Sequence, residues 1–462
     1  MEKKKEVPLL ILQMKMNTMI VFIFTLLFLS TPSSSEAASA APPSLTSSAN
    51  TPINPIGQIR IFERRGRVGG RMATVSLAGD TFEAGAVMLH PKNYHTVNFV
   101  KFLNLTVKRD DEDDSSSFGI WDGHRFVFKT LDSNSKFPFF QKIVSLLNSF
   151  RMFFRYGFSL LKMSNFGESA TDRLLNYYKA VNQGQSLRLW MRCLNGLVCI
   201  ISPPGHCKRN CRFRLSPLLI QELVTGITRI KYGQSVSISG LAGAVSLAGS
   251  GGGWWAVEGG NWQMAAGLIS TSDVELHLNE EIASISYLGD YYELNSTNGN
   301  SYTCDISVVA TPLDEAYFGL HCASTIPELV GTVENSDIPF LTISVLKQHS
   351  KNDLSYRMSS RETVADALLD RIFSVRTETI KINWGAYPHY KAPERFAPFI
   401  LDGRHLYYVN SFENAASSME TSVVAAKNVA QLILSRSSSQ VKSSSSNLKS
   451  SSPDADNLHS DL

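Results

Sequence analysis

The densest chemistry in the chain lies in residues 56–74, which read IGQIRIFERRGRVGGRMAT. Ile59, Ile61 and Phe62 make a short apolar strand that ends on an acid, Glu63, and the run Arg64, Arg65, Gly66, Arg67, Gly69, Gly70, Arg71 follows. In a dinucleotide-binding α/β unit, an acid ending the second strand accepts hydrogen bonds from the ribose hydroxyls of an adenosine half. Glycines there let the backbone approach a pyrophosphate, and arginines balance its charge. The pattern E-R-x-x-R-x-G-G-R is more particular than a lone G-x-G-x-x-G. The plain alternative is a solvated basic loop after an edge strand.

Other candidates are weaker. His90 and His95 could serve as acid–base groups or polar substrate contacts, but no carboxylate pairs with them in the pattern, and a lone histidine is more often structural. Cys193, Cys199, Cys207 and Cys211 crowd one segment, yet no C-x-x-C pair is present and the spacing fits no common zinc site. A frameshift accounts for them better. WMRCLNG can be encoded by TGG ATG AGA TGC TTA AAT GG; begun one base earlier after a G, it reads VDEMLKW, an amphipathic helix. PPGHCKRNC, shifted alike, can read TTRTLQEEL. Residues 186–213 are therefore expected to be out of frame, irregular and exposed, without a metal.

The elements that must position the acid and its arginines are incomplete. A second strand should follow a first strand, a glycine-rich turn and a helix, about 30 residues in all. Residues 41–58 read APPSLTSSANTPINPIGQ, with no apolar strand and no such turn. The first βαβ unit is absent, and with it the helix N-terminus that would hold a pyrophosphate.

Further along, Ile143, Leu147, Phe150, Phe154, Phe158 and Leu161 recur at helical spacing within residues 141–163, interspersed with Lys142, Arg151, Arg155 and Lys162. This is a wall for a greasy substrate, a basic face on a membrane surface, or a plain buried helix. Leu218–Ile230 reads as a helix. Glycines at 249–253, Gly259 and Gly260, with Trp254, Trp255 and Trp262, offer close backbone approach and aromatic surface to a planar ligand. Strands are expected at Val274–Leu278, Ile282–Tyr287 and Tyr291–Leu294, with a buried one at Asp305–Pro312. After Glu315 a second omission is suspected.

Composition sets the frame. With 43% hydrophobic residues the chain can bury a two-lobed core, and a net charge of +3 argues against nucleic acid as partner. Lys3–Lys5, the apolar run Met19–Leu29 and Ala38-Ser39-Ala40 have the three parts of a signal peptide. The run is short for a bilayer, which takes roughly 20 apolar residues. Sequons at Asn104 and Asn295 fit a glycosylated luminal protein. The acidic run Asp110–Asp114 reads as a solvated loop. The tail from Ser435 is Ser-rich and expected to be disordered.

The segment from Glu63 to Arg71 resembles the second FAD motif of glutathione-reductase-type flavoproteins, on their amine-oxidase side. Phe82-Glu83-Ala84-Gly85 with Leu89-His90-Pro91 resembles the segment beside the flavin ring, and GGNWQMAAGL a glycine-rich segment before a helix. Gly403–Glu420 (GRHLYYVNSFENAASSME) resembles the block in which a helix start faces the flavin pyrimidine. Together these motifs resemble the prenylcysteine oxidase family, most closely its plant branch, the farnesylcysteine lyases, from about Ile56 to Leu434.

The resemblance implies an α/β fold: an FAD-binding Rossmann-like domain of the glutathione-reductase/amine-oxidase type with an inserted α+β substrate domain. Its parts would be a signal peptide (1–40), a linker (41–55), FAD-binding parts (56–130, 249–315, 399–434), substrate-domain parts (131–248, 316–398) and the tail (435–462). FAD would be the cofactor, held by Glu63, Arg64, Gly69, Gly70, Arg71, Gly85, Ile282 beside adenine, Asn410, Glu413, Met419 and Glu420. The implied reaction oxidises the thioether of farnesylcysteine or geranylgeranylcysteine with molecular oxygen, giving cysteine, a prenyl aldehyde and hydrogen peroxide. No proton-transfer residue is singled out. A secretory-pathway address, vacuole or lysosome, with membrane-surface association, is expected. Another flavin oxidase, a lipid-binding homologue without flavin, and an inactive truncated product remain the alternatives.

Overall fold

The computed structural model describes residues 58–109, 117–131, 138–167, 169, 215–238, 240–248, 254–311, 328–350, 353–373, 375–382, 385–390 and 396–449. The signal peptide, the linker, the cysteine-rich segment 186–213, glycines 249–253 and the suspected omission after Glu315 all lie outside these residues.

The Arg–Gly stretch is entered through β1 (Ile59–Glu63), as the apolar pattern predicts. After it come the hairpin β2 (Thr74–Leu77) and β3 (Asp80–Glu83), helix α1 (Tyr94–Phe102) and β4 (Val107–Arg109). Strands β5 (Phe118–Trp121) and β6 (Phe126–Lys129) precede helix α2 (Pro138–Tyr156). A helical turn and a π-type turn at Ile220–Val224 run into α3 (Thr225–Tyr232), followed by α4 (Gly240–Ala248), β7 (Trp255–Val257) and α5 (Trp262–Thr271).

Strand β8 (Val274–Leu278) leads to the meander β9 (Ile282–Tyr287), β10 (Tyr292–Ser296) and β11 (Ser301–Cys304), then β12 (Ser307–Val309). Strands β13 (Leu329–Thr332), β14 (Thr342–Ser350) and β15 (Asp353–Ser359) precede helix α6 (Asp366–Ile372). Last come β16 (Leu406–Tyr408) and helix α7 (Met419–Lys449).

These strands form two systems. One is a five-stranded sheet ordered β15-β14-β13-β5-β6. Helix α3 lies on it at β13, where a Cβ on Gly331 would stand 3.0 Å from Ile230 and 3.3 Å from the Gly226 carbonyl, so glycine permits the close approach. The other system is parallel and split. β1 pairs with β8, Ile59 opposite Val274 through Glu63 opposite Leu278, and β12 pairs with β16. Among the described residues, neither β1 nor β12 has a neighbour on its other edge.

That split changes one expectation. The strand expected to be buried over Asp305–Pro312 is shorter, and Val308 is 46% exposed, as is Ile59 on β1. A central parallel strand is covered on both edges and faces; these two are covered on one edge only.

Two helices also depart from expectation. α2 ends at Tyr156 because Gly157 takes a left-handed conformation (φ 60°). It packs on the core through Met152 and Tyr156, while Phe154 and Phe158 of the predicted apolar stripe are 82% and 69% exposed. The plain buried reading of that stripe therefore fails among the described residues. Helix α7 continues through the serines to Lys449 rather than stopping at Leu434, since extending a formed helix costs far less than nucleating one. No described helix is long and apolar enough to cross a membrane.

The main core joins Ile120 and Phe128 of the sheet to Leu223, Val224 and Ile227, and to Ala415, Ala416, Val424 and Ala425 near the C-terminus. A second cluster, Leu89, Val100, Trp255, Val257 and Met264, takes in Met419.

Below β1 the meander is tied down by one carboxylate. Glu280 donates its backbone N–H to the Glu63 carbonyl at 3.0 Å, while its side chain accepts from Asn298 and Asn300 at 2.9 Å each. Hydrogen bonds from Ser296, then Asn300 and Asn298, hold its pKa down at about 2, against about 4.3 in an unfolded chain. The stabilisation is therefore complete above about pH 4.3 and is lost as pH falls toward 2. Acid titration of stability should show Glu280→Gln less stable than wild type at pH 6, with the difference vanishing near pH 2. A constant difference across that window would contradict this linkage.

Candidate functional site

The Arg–Gly segment and the C-terminal block meet through one ion pair. Arg71 bonds the Glu413 carboxylate through one guanidinium nitrogen, and through the other donates to the Ala386 carbonyl at 2.8 Å. Glu413 also accepts from the Ser417 hydroxyl at 2.8 Å, and the Ser417 N–H donates to the Tyr390 hydroxyl at 2.7 Å. Asn410, beyond β16, donates to the Ala310 carbonyl at 2.9 Å and so links the ends of β12 and β16. Residues more than 300 positions apart in sequence are thus held at one place.

The other expected residues divide by location. The Glu63 carboxylate sits at the end of β1 and accepts from the Arg65 backbone N–H at 2.9 Å. Arg64 lies 3.7 Å from Glu281 in an exposed pair. Gly69 has φ 118°, and a Cβ there would stand 2.7 Å from the Met72 carbonyl; at Gly70 the same space is open. Gly85 follows β3 in the loop that approaches Arg71, where Ala86 donates to the Arg71 carbonyl. Ile282 begins β9 opposite Ser296. Met419 packs on the Leu89–Trp255 cluster. Glu420 is buried and accepts from the backbone N–H groups of His95 and Thr96, at 2.8 and 3.0 Å, in the first turn of α1.

The structure adds groups that spacing did not reveal. Glu83 ends β3 with one oxygen accepting the Asn261 N–H at 2.5 Å and the other buried with no partner among the described residues. Burial raises its pKa, against the Asn261 hydrogen bond and the nearby Arg357 charge. Arg357 is half-buried and donates to the Glu83 carbonyl. Asn261 is fully buried; it donates to the Ala86 and Val87 carbonyls and accepts from Val257. Tyr232 packs edge-on against Tyr387 and Tyr390, each with ring centroids 5.2 Å apart. His90 is half-buried, and burial lowers its pKa, with Lys92 and Lys231 adding to the effect. Glu83 and Asn261 had a signal in the motifs around Gly85 and Gly260, and His90 was a candidate already; Arg357 and the tyrosines reach the site through tertiary packing alone.

The arrangement suits the two ends of a flavin dinucleotide. Glu63 stands where ribose hydroxyls would be received, and the unpaired Glu83 oxygen beside Arg357 is a buried polar position suited to the edge of a polar ring. The middle does not fit. Residues 1–56 contain no glycine, so they cannot supply the turn that brings backbone N–H groups onto a pyrophosphate. Among the described residues, no helix begins at an edge of β1. No cluster of metal-ligating side chains occurs among them either.

Comparison with known proteins adds the remaining constraint. A family model described as prenylcysteine lyase matches residues 139–316 and 313–446. A protein of Arabidopsis thaliana called farnesylcysteine lyase is 52% identical over 441 residues, covering 87% of each chain. A human protein called prenylcysteine oxidase 1 is 30% identical over 443 residues, covering 82% of this chain and 84% of its own. In fold, a redesigned putrescine oxidase aligns over 82% of this chain and 93% of its own, with a TM-score of 0.51 at 10% identity.

Proposed function

The chain belongs to the prenylcysteine lyase family, and from that premise we propose that it oxidatively cleaves the thioether of farnesylcysteine or geranylgeranylcysteine. It is an oxidoreductase with a flavin cofactor, which we assign as FAD, and molecular oxygen is the second substrate. The observation that carries this reading is the 52% identity to the Arabidopsis farnesylcysteine lyase across most of both chains.

The substrate dictates what the protein must do. The carbon between sulfur and alkene is activated because a cation there is shared by sulfur and the allyl system. When bound, a flavin supplies the acceptor for the hydride that leaves this carbon. Addition of water to that carbon, with loss of a proton, would give a hemithioacetal that collapses to cysteine and a prenyl aldehyde, and oxygen would take up the two electrons and two protons as hydrogen peroxide. No nucleophile or metal is required of the chain.

Its own residues bind, orient and exclude solvent. Tyr232 and Tyr390, both buried, and the partly buried Tyr387 form an apolar aromatic cluster of the kind a prenyl chain needs. Arg71 and Glu413 fix the loops on either side of that aromatic group, and Arg357 with Asn261 fixes Glu83. Holding the thioether in a dry, oriented pose is where such a site gains rate.

The test supplies the purified chain with excess FAD and either farnesylcysteine or putrescine, and assays free thiol, aldehyde and peroxide. Equimolar products from farnesylcysteine and none from putrescine are expected. Turnover of the amine alone would move the assignment to an amine oxidase. The address is proposed from residues 1–40 as the secretory pathway. Of the two sequons, Asn104 lies in an exposed turn, whereas Asn295 sits in the middle strand of the meander, so glycan is assigned to Asn104.

A further inference from the structure

Lys231, at the end of α3, is partly buried, and among the described residues no acid answers its charge. Its ammonium stands 4.1 Å from the centroid of the Trp254 ring. Among the described residues no carboxylate pairs with it, and burial alone pushes its pKa down to about 8, which leaves it mostly protonated at neutral pH. The indole offsets part of the lost hydration through its negative π-face. A cation removed from water without an opposite charge is otherwise unfavourable.

A second donor borders the same indole. His90 meets Trp254 edge-on at 5.2 Å. Its Nδ1 accepts the Lys92 N–H at 3.1 Å, so the neutral ring carries its proton on Nε2. Burial and the neighbouring lysines hold it in that neutral form. The next residue of α3, Tyr232, belongs to the aromatic cluster with Tyr387 and Tyr390. A positive point and a neutral donor thus share one indole, and the helix that carries the lysine also feeds an apolar aromatic cluster. A molecule with a carboxylate at one end and a long hydrocarbon at the other matches that order.

We propose that Lys231, seated on Trp254 and assisted by His90, is the subsite for the α-carboxylate of the prenylcysteine substrate. This rests on the thioether-oxidase reading of the site. The assignment gives Lys231 its missing counter-charge and fixes which end of the substrate enters where. Lys231 is then a binding and specificity residue, not a participant in hydride loss.

The test is a binding measurement on the full chain, by calorimetry or tryptophan fluorescence, and needs no turnover. The two probes are farnesylcysteine and S-farnesylcysteamine, which is the same thioether without the carboxylate. A charge-assisted hydrogen bond in a partly buried site corresponds to about 10- to 100-fold in affinity. Wild type should prefer farnesylcysteine by that factor, Lys231→Met should erase the preference, and Lys231→Arg should keep most of it. The wild-type comparison stands even if a variant folds poorly. Equal binding of the two probes to wild type, or a preference that survives in Lys231→Met, overturns the carboxylate subsite and leaves the thioether reading in place. Binding of neither probe overturns both. In kinetics with excess FAD, a fall in kcat/KM for oxygen with unchanged farnesylcysteine affinity would assign Lys231 to oxygen instead and overturn the subsite.

Discussion

Purified as the 462-residue chain, the protein is expected to come off colourless and to stay idle with farnesylcysteine until flavin is added. The reason lies ahead of β1: residues 1–56 hold no glycine, and among the described residues no helix begins at an edge of β1 to face a pyrophosphate. Each charge-assisted hydrogen bond that a glycine-rich turn makes there is worth roughly 1.5–3 kcal/mol, so losing two or three weakens FAD binding by at least about 100-fold. Inserting a strand, a G-x-G-x-x-G turn and a helix ahead of Ile56, with the in-frame version of residues 186–213, should restore a yellow preparation and peroxide production. Absorbance near the flavin bands and a flavin titration of both forms measure the change. A yellow, flavin-saturated preparation of the unmodified chain would show that the glycine-rich turn is dispensable.

The second large effect is expected at Asn261. Its side chain is fully buried and joins three segments: the Ala86 and Val87 carbonyls at 2.8 and 3.0 Å, and the Val257 N–H at 2.9 Å. Asn261→Ala strands three backbone groups, each at a cost of about 1–3 kcal/mol. Partial rescue by entering water brings the expected loss to about 4 kcal/mol. Denaturant unfolding should show the midpoint falling with little change in slope. The loop carrying Gly85 should loosen with it, because the same residue donates its N–H to Glu83. A loss under about 1 kcal/mol would mean that water replaces the amide fully and that the joint is not structural.

What could be read beforehand was local. The strand ending in Glu63, the meander strands and the strand before Asn410 followed from alternation and from the acid or turn residue that ended each one. The meeting of Arg71 with Glu413 followed from the family resemblance, because nothing in spacing joins positions so distant. The stripe on α2 shows the limit of periodicity: it identified the helix, but could not say that Phe154 and Phe158 would face outward while Tyr156 went in. Gly157 ended that helix earlier than the apolar repeat suggested. Lys231 and Arg357 were invisible for another reason. A lone basic residue in a helix or strand reads as solvated, and only packing shows it resting on an indole or donating to a buried carbonyl. Val308 was expected inside because its neighbours are apolar, yet burial requires a strand beside it.

That missing neighbour bears on the handling of the protein as well as on its chemistry. Among the described residues each parallel ribbon has an edge with no paired strand and an exposed branched side chain, Ile59 on one and Val308 on the other. Native sheets guard such edges with charges, prolines or a covering helix; β1 carries the charged Arg60 and Glu63, whereas β12 (Ser307–Val309) carries no charge or proline. The β12 edge is therefore the one of the two at which a strand of a second copy would meet least opposition. Association measured by light scattering against concentration is expected to begin at that edge, and a charge placed at Val308, 46% exposed, should suppress it.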